Sequence, residues 1–543
     1  MTTLQALRLL SVTVLATACS TVTAGYRAPA SLTETDILNI AQILKLEDTR
    51  HFDADALSRL LASRHPEVKR RAVIAVGRIV NPGGSALLLP VRQDPSAEIV
   101  ANVAFASGQL KDASAVGWLG QVLSAPATPS DVRFEAARAL GKIRTPEAWT
   151  ALAAYLSKAT AGPATSSTVG EALLSMGRFT TRQDLAPIVK WSTATDPEIR
   201  WRATWALYRP RNPEAVALLL KLTADASPDV RFWAARGLTP IPQPTATGAP
   251  KVENLDPAIA SARLRALLKD SDRRVRTESL RALTAFSDDT SFAAVLLALD
   301  DPDTWMSVSA AETMGRQTAR ANVVGPKLTT IISDQSKPSA LRTVATQQLA
   351  RLNTSTGSGL APPAVTGAGP GGTGRQGGPS PNPLVTNRTD ADYRAIVERW
   401  IVPAYSGAPK PRAIWMTPKG EIEMEIHAAD APLGMEELVR LTESGDLVGT
   451  AFTRLVPNFV AQQATVRGAN RLRDEVSRLG LTRGNLAWAS SGLDTGRAGY
   501  TLGSTPQPHN EGDFTALGRV IRGIEVVDRL EFGDSVIAAR LVR

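Results

Sequence analysis

One cysteine, Cys19, and four histidines, His51, His65, His427 and His509, are scattered through 543 residues. Spaced Cys/His pairs of the kind that hold zinc are therefore missing. No Lys/Arg run marks a nucleic-acid arm. The 61 basic and 52 acidic residues give a net charge of +9, spread along the chain, which suits solubility or contact with acidic surfaces. Nucleic acid is not an expected partner. Beyond the N-terminus no run is long and apolar enough to span a membrane. Also absent are a phosphate-cradling P-loop, a dinucleotide glycine fingerprint after a strand, and a Ser/His/Asp order with a strained elbow. What is present is length enough for about three or four domains, and a 43% hydrophobic content that lets each bury a core.

Residues 1–18 read MTTLQALRLLSVTVLATA. Arg8 gives a weakly positive start, and Leu9 to Ala18 is apolar but too short for a mature membrane span. The pattern fits a secretory signal peptide. Cys19 follows at once, and Leu15-Ala16-Thr17-Ala18-Cys19 resembles the lipobox of bacterial lipoproteins, whose cysteine becomes the lipidated first residue. Here Ala16 stands three before the cysteine and Leu15 one place earlier. The alternative is a plain signal cleaved near Ala18 or Ala24. That Cys19 is the sole cysteine favours lipidation, because exported proteins avoid stray thiols. The resemblance implies a lipid anchor, with residues 19–32 as a tether. Ser20 implies outer-membrane sorting and a periplasm-facing chain.

A repeat follows. A capping residue, often a proline, an acidic or small residue, an aliphatic residue and often an arginine precede alanines. Copies are His65-Pro66-Glu67-Val68, Asp94-Pro95-Ser96-Ala97-Glu98-Ile99, Ser130-Asp131-Val132-Arg133, Asp196-Pro197-Glu198-Ile199-Arg200, Ser227-Pro228-Asp229-Val230-Arg231 and Ser271-Asp272-Arg273-Arg274-Val275-Arg276. The aliphatic positions recur about every 31–33 residues, with a Pro/Thr/Gly-rich insertion near residues 239–251. Side-chain oxygens cap new helices, proline suits the first helical position, and acidic residues suit the helix dipole. In Asp131–Gly141 the alanines allow close helix packing and the glycine is expected to end the helix. Such two-helix units must stack to bury their apolar faces. The pattern resembles short bacterial HEAT repeats over residues 33–352, and implies an all-α solenoid that binds protein partners. Arg133, Arg200, Arg231 and Arg276 are expected to pair with carboxylates of adjacent units. Trp191, Trp201, Trp205 and Trp233 are expected in the core.

Residues 353–389 change character, and 356–383 are rich in Gly, Pro, Ser and Thr with Arg375 the one charge. Such a stretch cannot fold by burial and predicts a disordered linker between independent bodies. Residues 391–402 read as an amphipathic helix. From Ile414 the apolar period moves towards two, as in Gly420–His427, which predicts strands.

At Phe452-Thr453-Arg454-Leu455-Val456-Pro457-Asn458-Phe459-Val460-Ala461-Gln462 the chain resembles the active-site stretch of cyclophilins. Arg483–Ala489, Thr505–His509 and Leu517–Asp528 continue the resemblance in order. It implies a cyclophilin-like domain over residues 390–543, an eight-stranded antiparallel β-barrel with two helices, and peptidyl-prolyl cis-trans isomerase activity on proline-containing polypeptides. That chemistry needs no metal or cofactor. Amide resonance sets a barrier of about 18–20 kcal/mol, and a catalyst must grip proline and stabilise the twisted amide. By the resemblance Arg454 is the catalytic cation, which cannot lose its charge. Phe459 and Val460 floor the proline pocket, Gln462 orients the arginine, and His509 stands on the rim. Ser490, Thr501 and Gly499 stand where the family usually carries an asparagine, a pocket phenylalanine and a substrate-binding glutamine. Phe514 replaces a frequent histidine. These departures imply slow or selective turnover, or a proline-peptide binder that does not turn its ligand over.

Overall fold

The computed structural model describes residues 31–179, 183–240, 256–357, 386–456 and 458–543. The signal segment with Cys19, most of the insertion and of the linker, and Pro457 lie outside the described residues. Ten helices form one row: Glu34–Thr49, Pro66–Ile79, Ala97–Leu110, Ser130–Ile143, Ser166–Met176, Pro197–Tyr208, Pro228–Gly237, Arg273–Leu283, Thr304–Met314 and Ser339–Gly357. Each packs on the next, and shorter helices between them form a second layer. The last runs to Gly357, so residues 353–357, read from sequence as linker, continue the solenoid.

The caps work as the residue types predict. Thr145, Asp196, Asp272 and Asp303 each accept from a backbone N–H of the helix they open, and Pro66, Pro146, Pro197 and Pro228 take the first helical position. The glycine expectation is overturned. Gly141 lies inside its helix, which ends two residues later at Ile143 and is capped by a left-handed Arg144 with φ 59°. What Gly141 provides is proximity: a Cβ there would fall 2.4 Å from the Cβ of Ser175 on the next helix. The arginine ladder pairs between units at three positions, Arg200 with Asp225 at 2.8 Å, Arg231 with Asp270 at 2.8 Å and Arg276 with Asp303 at 3.1 Å. Among the described residues Arg133 makes no such pair, and its Nε is buried without a hydrogen-bond partner there. The four tryptophans are all in the core.

The C-terminal sheet has eight strands: β1 (Arg412–Thr417), β2 (Gly420–Ile426), β3 (Phe452–Val456), β4 (Val460–Gln463), β5 (Asn485–Trp488), β6 (Tyr500–Gly503), β7 (Ala516–Arg522) and β8 (Ala538–Val542). Their order is β3-β4-β6-β5-β7-β2-β1-β8, antiparallel throughout. The sheet curls until the chain entering β8 meets β3: Phe452 N–H donates to Asp534 O at 2.7 Å and Val536 N–H to Thr450 O at 3.2 Å. Trp415, Trp488, Tyr500 and Phe452 fill the interior. Helix Pro432–Glu443 closes one end, with Gly434 tight against the Trp488 ring. The second helix is one short turn, Ile524–Val527.

The two bodies are not independent. Helix Asp390–Ile396 packs on the first solenoid helix, and Tyr393, Ile396 and Trp400 share one apolar cluster with Ile40, Ile43, Trp415 and Met424. Arg50 grips Asp494 through two bonds of 2.9 and 2.6 Å. Arg78 donates to Glu47 at 2.8 Å and to the carbonyls of Val476, Asp430 and Glu475. Burial pushes the Glu475 carboxyl up to about 7, against the pull of Arg78 and of the Gly434 and Leu433 N–H groups. In the next three units Gln109, Lys142 and Arg178 donate to barrel carbonyls of Gly512, Gly512 and Pro508. Further along, Arg274 O accepts from Asn458 Nδ2 at 2.8 Å, and Arg273 donates to Asp528 O at 3.2 Å. Ten helices at about 8–10 Å spacing would run roughly 80 Å if straight. A 150-residue domain is about 40 Å across. One barrel touching helices at both ends therefore requires the row to curve around it.

Candidate active site

Arg454 on β3 and Gln462 on β4 face each other in register, and Arg454 Nη1 donates to Gln462 Oε1 at 3.0 Å. The guanidinium lies 5.9 Å from the centre of the Phe459 ring. Val456, Phe459 and Val460 form a small buried cluster beneath it. Burial pushes the Arg454 pKa below its ordinary value. The Glu312 carboxylate on the solenoid opposes that shift, and Arg281 adds to it. An arginine starts so far above neutrality that it remains a cation.

The residue turning from β3 to β4, Asn458, has φ 60° and is tied to both bodies. Its carbonyl accepts from Thr505 Oγ1 at 2.9 Å, while its side chain reaches Arg274. The Phe459 carbonyl accepts from Ser504 N at 3.0 Å and Gln507 Nε2 at 3.2 Å. These bonds lace the segment Ser504–His509 to the β3–β4 turn and set the His509 imidazole on the Phe459 ring, centroids 5.8 Å apart and planes at 25°. His509 is therefore a wall of the cup, 6% exposed, where the resemblance implied a rim. Burial, reinforced by Arg209, Arg236 and Arg178, holds its pKa down at about 3, so the ring is neutral.

Thr501 on β6 pairs with Gln462 across the sheet, which brings it to the site. Its Oγ1 donates to Ala487 O at 3.2 Å. Ser490 lies two residues beyond β5 and is half-buried. Phe514 packs against the cluster of Leu481, Ala487 and Ala516, and Ala487 is the residue that Thr501 bonds.

Sequence reading missed the solenoid's share of the site. Glu312, Arg281, Arg236 and Arg209 surround Arg454 and His509 from outside the barrel. Arg454 borders two spaces: a mainly apolar recess of about 120 Å³ that includes Trp305, Val308, Val344 and Leu455, and a wider cavity of about 790 Å³ against the solenoid. The signal was a second repeat position. Arg78, Gln109, Lys142 and Arg178 each follow a glycine near the end of consecutive inner helices, and Arg209, Arg236, Arg281, Arg316 and Arg351 sit towards the same end of later ones.

An eight-stranded antiparallel barrel that carries an arginine–glutamine pair over a buried phenylalanine defines a proline isomerase of the barrel type, here seated on a helical-repeat solenoid. The family described as "Cyclophilin type peptidyl-prolyl cis-trans isomerase/CLD" matches residues 413–540, and "HEAT repeats" match residues 84–173 and 167–239. A peptidyl-prolyl cis-trans isomerase of Synechococcus elongatus is 28% identical over 139 residues, 24% of this chain and 96% of that protein. One from Helicobacter pylori is 31% identical over 130 residues, 22% of this chain and 80% of that protein. A cyclophilin-type isomerase structure from Cryptosporidium parvum covers 25% of this chain and 98% of its own, at 18% identity and a TM-score of 0.23. The chain belongs to the cyclophilin-type peptidyl-prolyl cis-trans isomerase family through its C-terminal domain, which follows a solenoid of HEAT repeats.

Proposed function

We propose that this chain is a peptidyl-prolyl cis-trans isomerase of the bacterial envelope, anchored by a lipid on Cys19 and facing the periplasm. There it assists the folding of exported proteins, and its HEAT repeats hold clients or partners. The observation that carries the reading is the Arg454–Gln462 pair poised over Phe459. A substrate proline rests against Phe459 and Val460. As the amide twists, its nitrogen loses resonance and gains a lone pair that the fixed guanidinium can hydrogen-bond. Gln462 keeps the fork aimed, so no reorganisation is needed at the crossing point.

The altered pocket slows the reaction. Thr501 in place of an aromatic wall removes apolar contact worth about 1.5–3 kcal/mol when fully buried, and Gly499 leaves no side-chain amide for the substrate backbone. A second reading, a non-catalytic proline-peptide binder, draws support from the stacking of His509 on Phe459, which takes up part of that ring's apolar surface. Proline-isomerisation kinetics on the full chain separate the two. The enzyme reading expects turnover that Arg454→Ala reduces roughly 10²-fold or more. Turnover unchanged by that substitution sinks the mechanism, and peptide binding without turnover favours the second reading. For the anchor, the mass of the mature N-terminal peptide should show acylated Cys19, and Cys19→Ser should release the protein from membranes.

A further inference from the structure

The wider cavity beside Arg454 is lined by seven arginines and two glutamates. Both glutamates are engaged. Arg236 makes two 2.7 Å bonds to Glu278, and Arg281 lies 3.6 Å from Glu312. Among the described residues no carboxylate lies within ion-pairing distance of the other five, Arg209, Arg211, Arg316, Arg351 and Arg454, although Glu312 also attracts Arg454 and Arg316 from across the cavity. Among the described residues Arg211 donates to Thr239 Oγ1 and the Pro240 carbonyl. Arg209 stacks over Trp205, 5.5 Å from the ring centre, and its Nε is buried without a hydrogen-bond partner. At three repeat positions outside this cavity, Arg200, Arg231 and Arg276, the arginine does meet an aspartate of the next unit. Like charges gathered in a recess of lowered dielectric repel one another, and an anionic ligand relieves that repulsion.

The chemistry of the donors narrows the ligand. Arg209, Arg236, Arg281, Arg316 and Arg351 sit at or towards the C-terminal ends of solenoid helices, Arg211 in the turn after one and Arg454 on β3. Among the described residues no helix N-terminus therefore points its N–H groups into the cavity, and the phosphate cradle of such an end is missing. A guanidinium fork matches carboxylate and phosphate alike, and it is the continuity of this cavity with the proline cup, which takes a polypeptide, that favours carboxylates carried on the same chain. Arg454 belongs to this cavity as well as to the proline cup, and an extended chain advances about 3.3–3.6 Å per residue. Residues two to four places from a proline held at Arg454 therefore lie about 7–14 Å away, within a cavity whose volume is ordinary for a ligand site.

We infer that this arginine-lined cavity binds Asp and Glu side chains flanking the substrate proline, so that the solenoid selects acidic proline-containing polypeptides for the barrel. The inference rests on Arg454 being the group that meets the prolyl bond.

Fluorescence anisotropy on the full chain tests it, with two labelled peptides that share one Ala-Pro centre and carry Glu or Gln at the flanking positions. The Glu peptide should bind at least about tenfold tighter at low salt, about 1.4 kcal/mol, with the preference fading as salt screens the cavity. The double substitution Arg316→Gln, Arg351→Gln should weaken the Glu peptide about tenfold. Equal affinities, or a preference indifferent to salt and to both substitutions, overturn the inference. Inorganic polyphosphate that binds while the Glu peptide does not also overturns it, in favour of a polyphosphate site. Turnover is scored separately. Isomerisation of both peptides without preference defeats this inference and leaves the enzyme standing. Preferential binding without turnover defeats the enzyme and leaves the acidic-peptide site.

Discussion

A single hydrogen bond aims the guanidinium at the site. Gln462 Oε1 is the only side-chain oxygen that Arg454 meets within the barrel among the described residues. Removing that acceptor leaves a half-buried cation with one fewer anchor, a loss of about 1.5–3 kcal/mol for a bond to a charged group. Gln462→Ala should therefore cut kcat/KM by roughly tenfold or more, and Arg454→Lys, which keeps the charge but loses the planar fork, should not restore wild-type turnover. His509 carries the pH behaviour. Its imidazole is neutral in the fold with a pKa near 3, against about 6.5 in an unfolded chain. Its contribution to stability is complete above pH 6.5 and is lost as pH falls towards 3, because the unfolded chain takes the proton first. The melting temperature of the wild type should accordingly fall relative to His509→Phe on acidification below 6.5, and the His509 ring signals in NMR should stay those of a neutral imidazole down to pH 5. That Arg454, Phe459, Val460 and Gln462 come together was legible in the motif from Phe452 to Gln462, because they lie on two adjacent strands and the turn between them, within eleven residues. The buried, neutral state of His509 was not legible, since its burial depends on the laced segment Ser504–His509 and its lowered pKa also on three solenoid arginines hundreds of residues upstream.

Within the helices, glycine means contact. A Cβ at Gly141 would collide with Ser175, and one at Gly108 would lie 2.9 Å from the Cα of Ala139. Gly141→Ala should cost about 1–3 kcal/mol through overpacking, measured by denaturant unfolding of the full chain, although alanine is the better helix former. The docking elements make a stronger demand. Arg78 is the cation between Glu47 and the barrel carbonyls, 5% exposed. Arg78→Ala strands a buried carboxylate, a loss of about 3–5 kcal/mol, and should raise amide exchange along Asp430–Val476 before it affects the distant strands. The N-caps, first-turn prolines and strand positions were legible because each depends on its nearest neighbours in sequence, whereas the strict alternation read at Gly420–His427 gives way to three consecutive buried residues, Ile422, Glu423 and Met424. The glycines and the basic residues beside them were not, because their partners stand one repeat away or in another domain.

At the scale of the whole chain the linker composition pointed to two separate bodies, and the interface says otherwise. The barrel is held by the first solenoid helices through Arg50 and Arg78, by the middle ones through Lys142 and Arg178, and by later ones through Arg273 and Arg274. Composition could report only that residues 356–383 cannot fold alone. It carried no information on whether surfaces on either side of them match. The account therefore depends on one body in which the solenoid forms part of the isomerase site. A direct test places spin labels at Leu297→Cys on the solenoid and Ile537→Cys on the barrel, both exposed, in a Cys19→Ser background, and measures their separation by pulsed electron paramagnetic resonance. The account predicts one narrow distance distribution, a few ångströms wide once label motion is allowed for. Bodies joined only by a flexible 28-residue connection (358–385) would wander over roughly 30 Å, and a distribution of that breadth would contradict it.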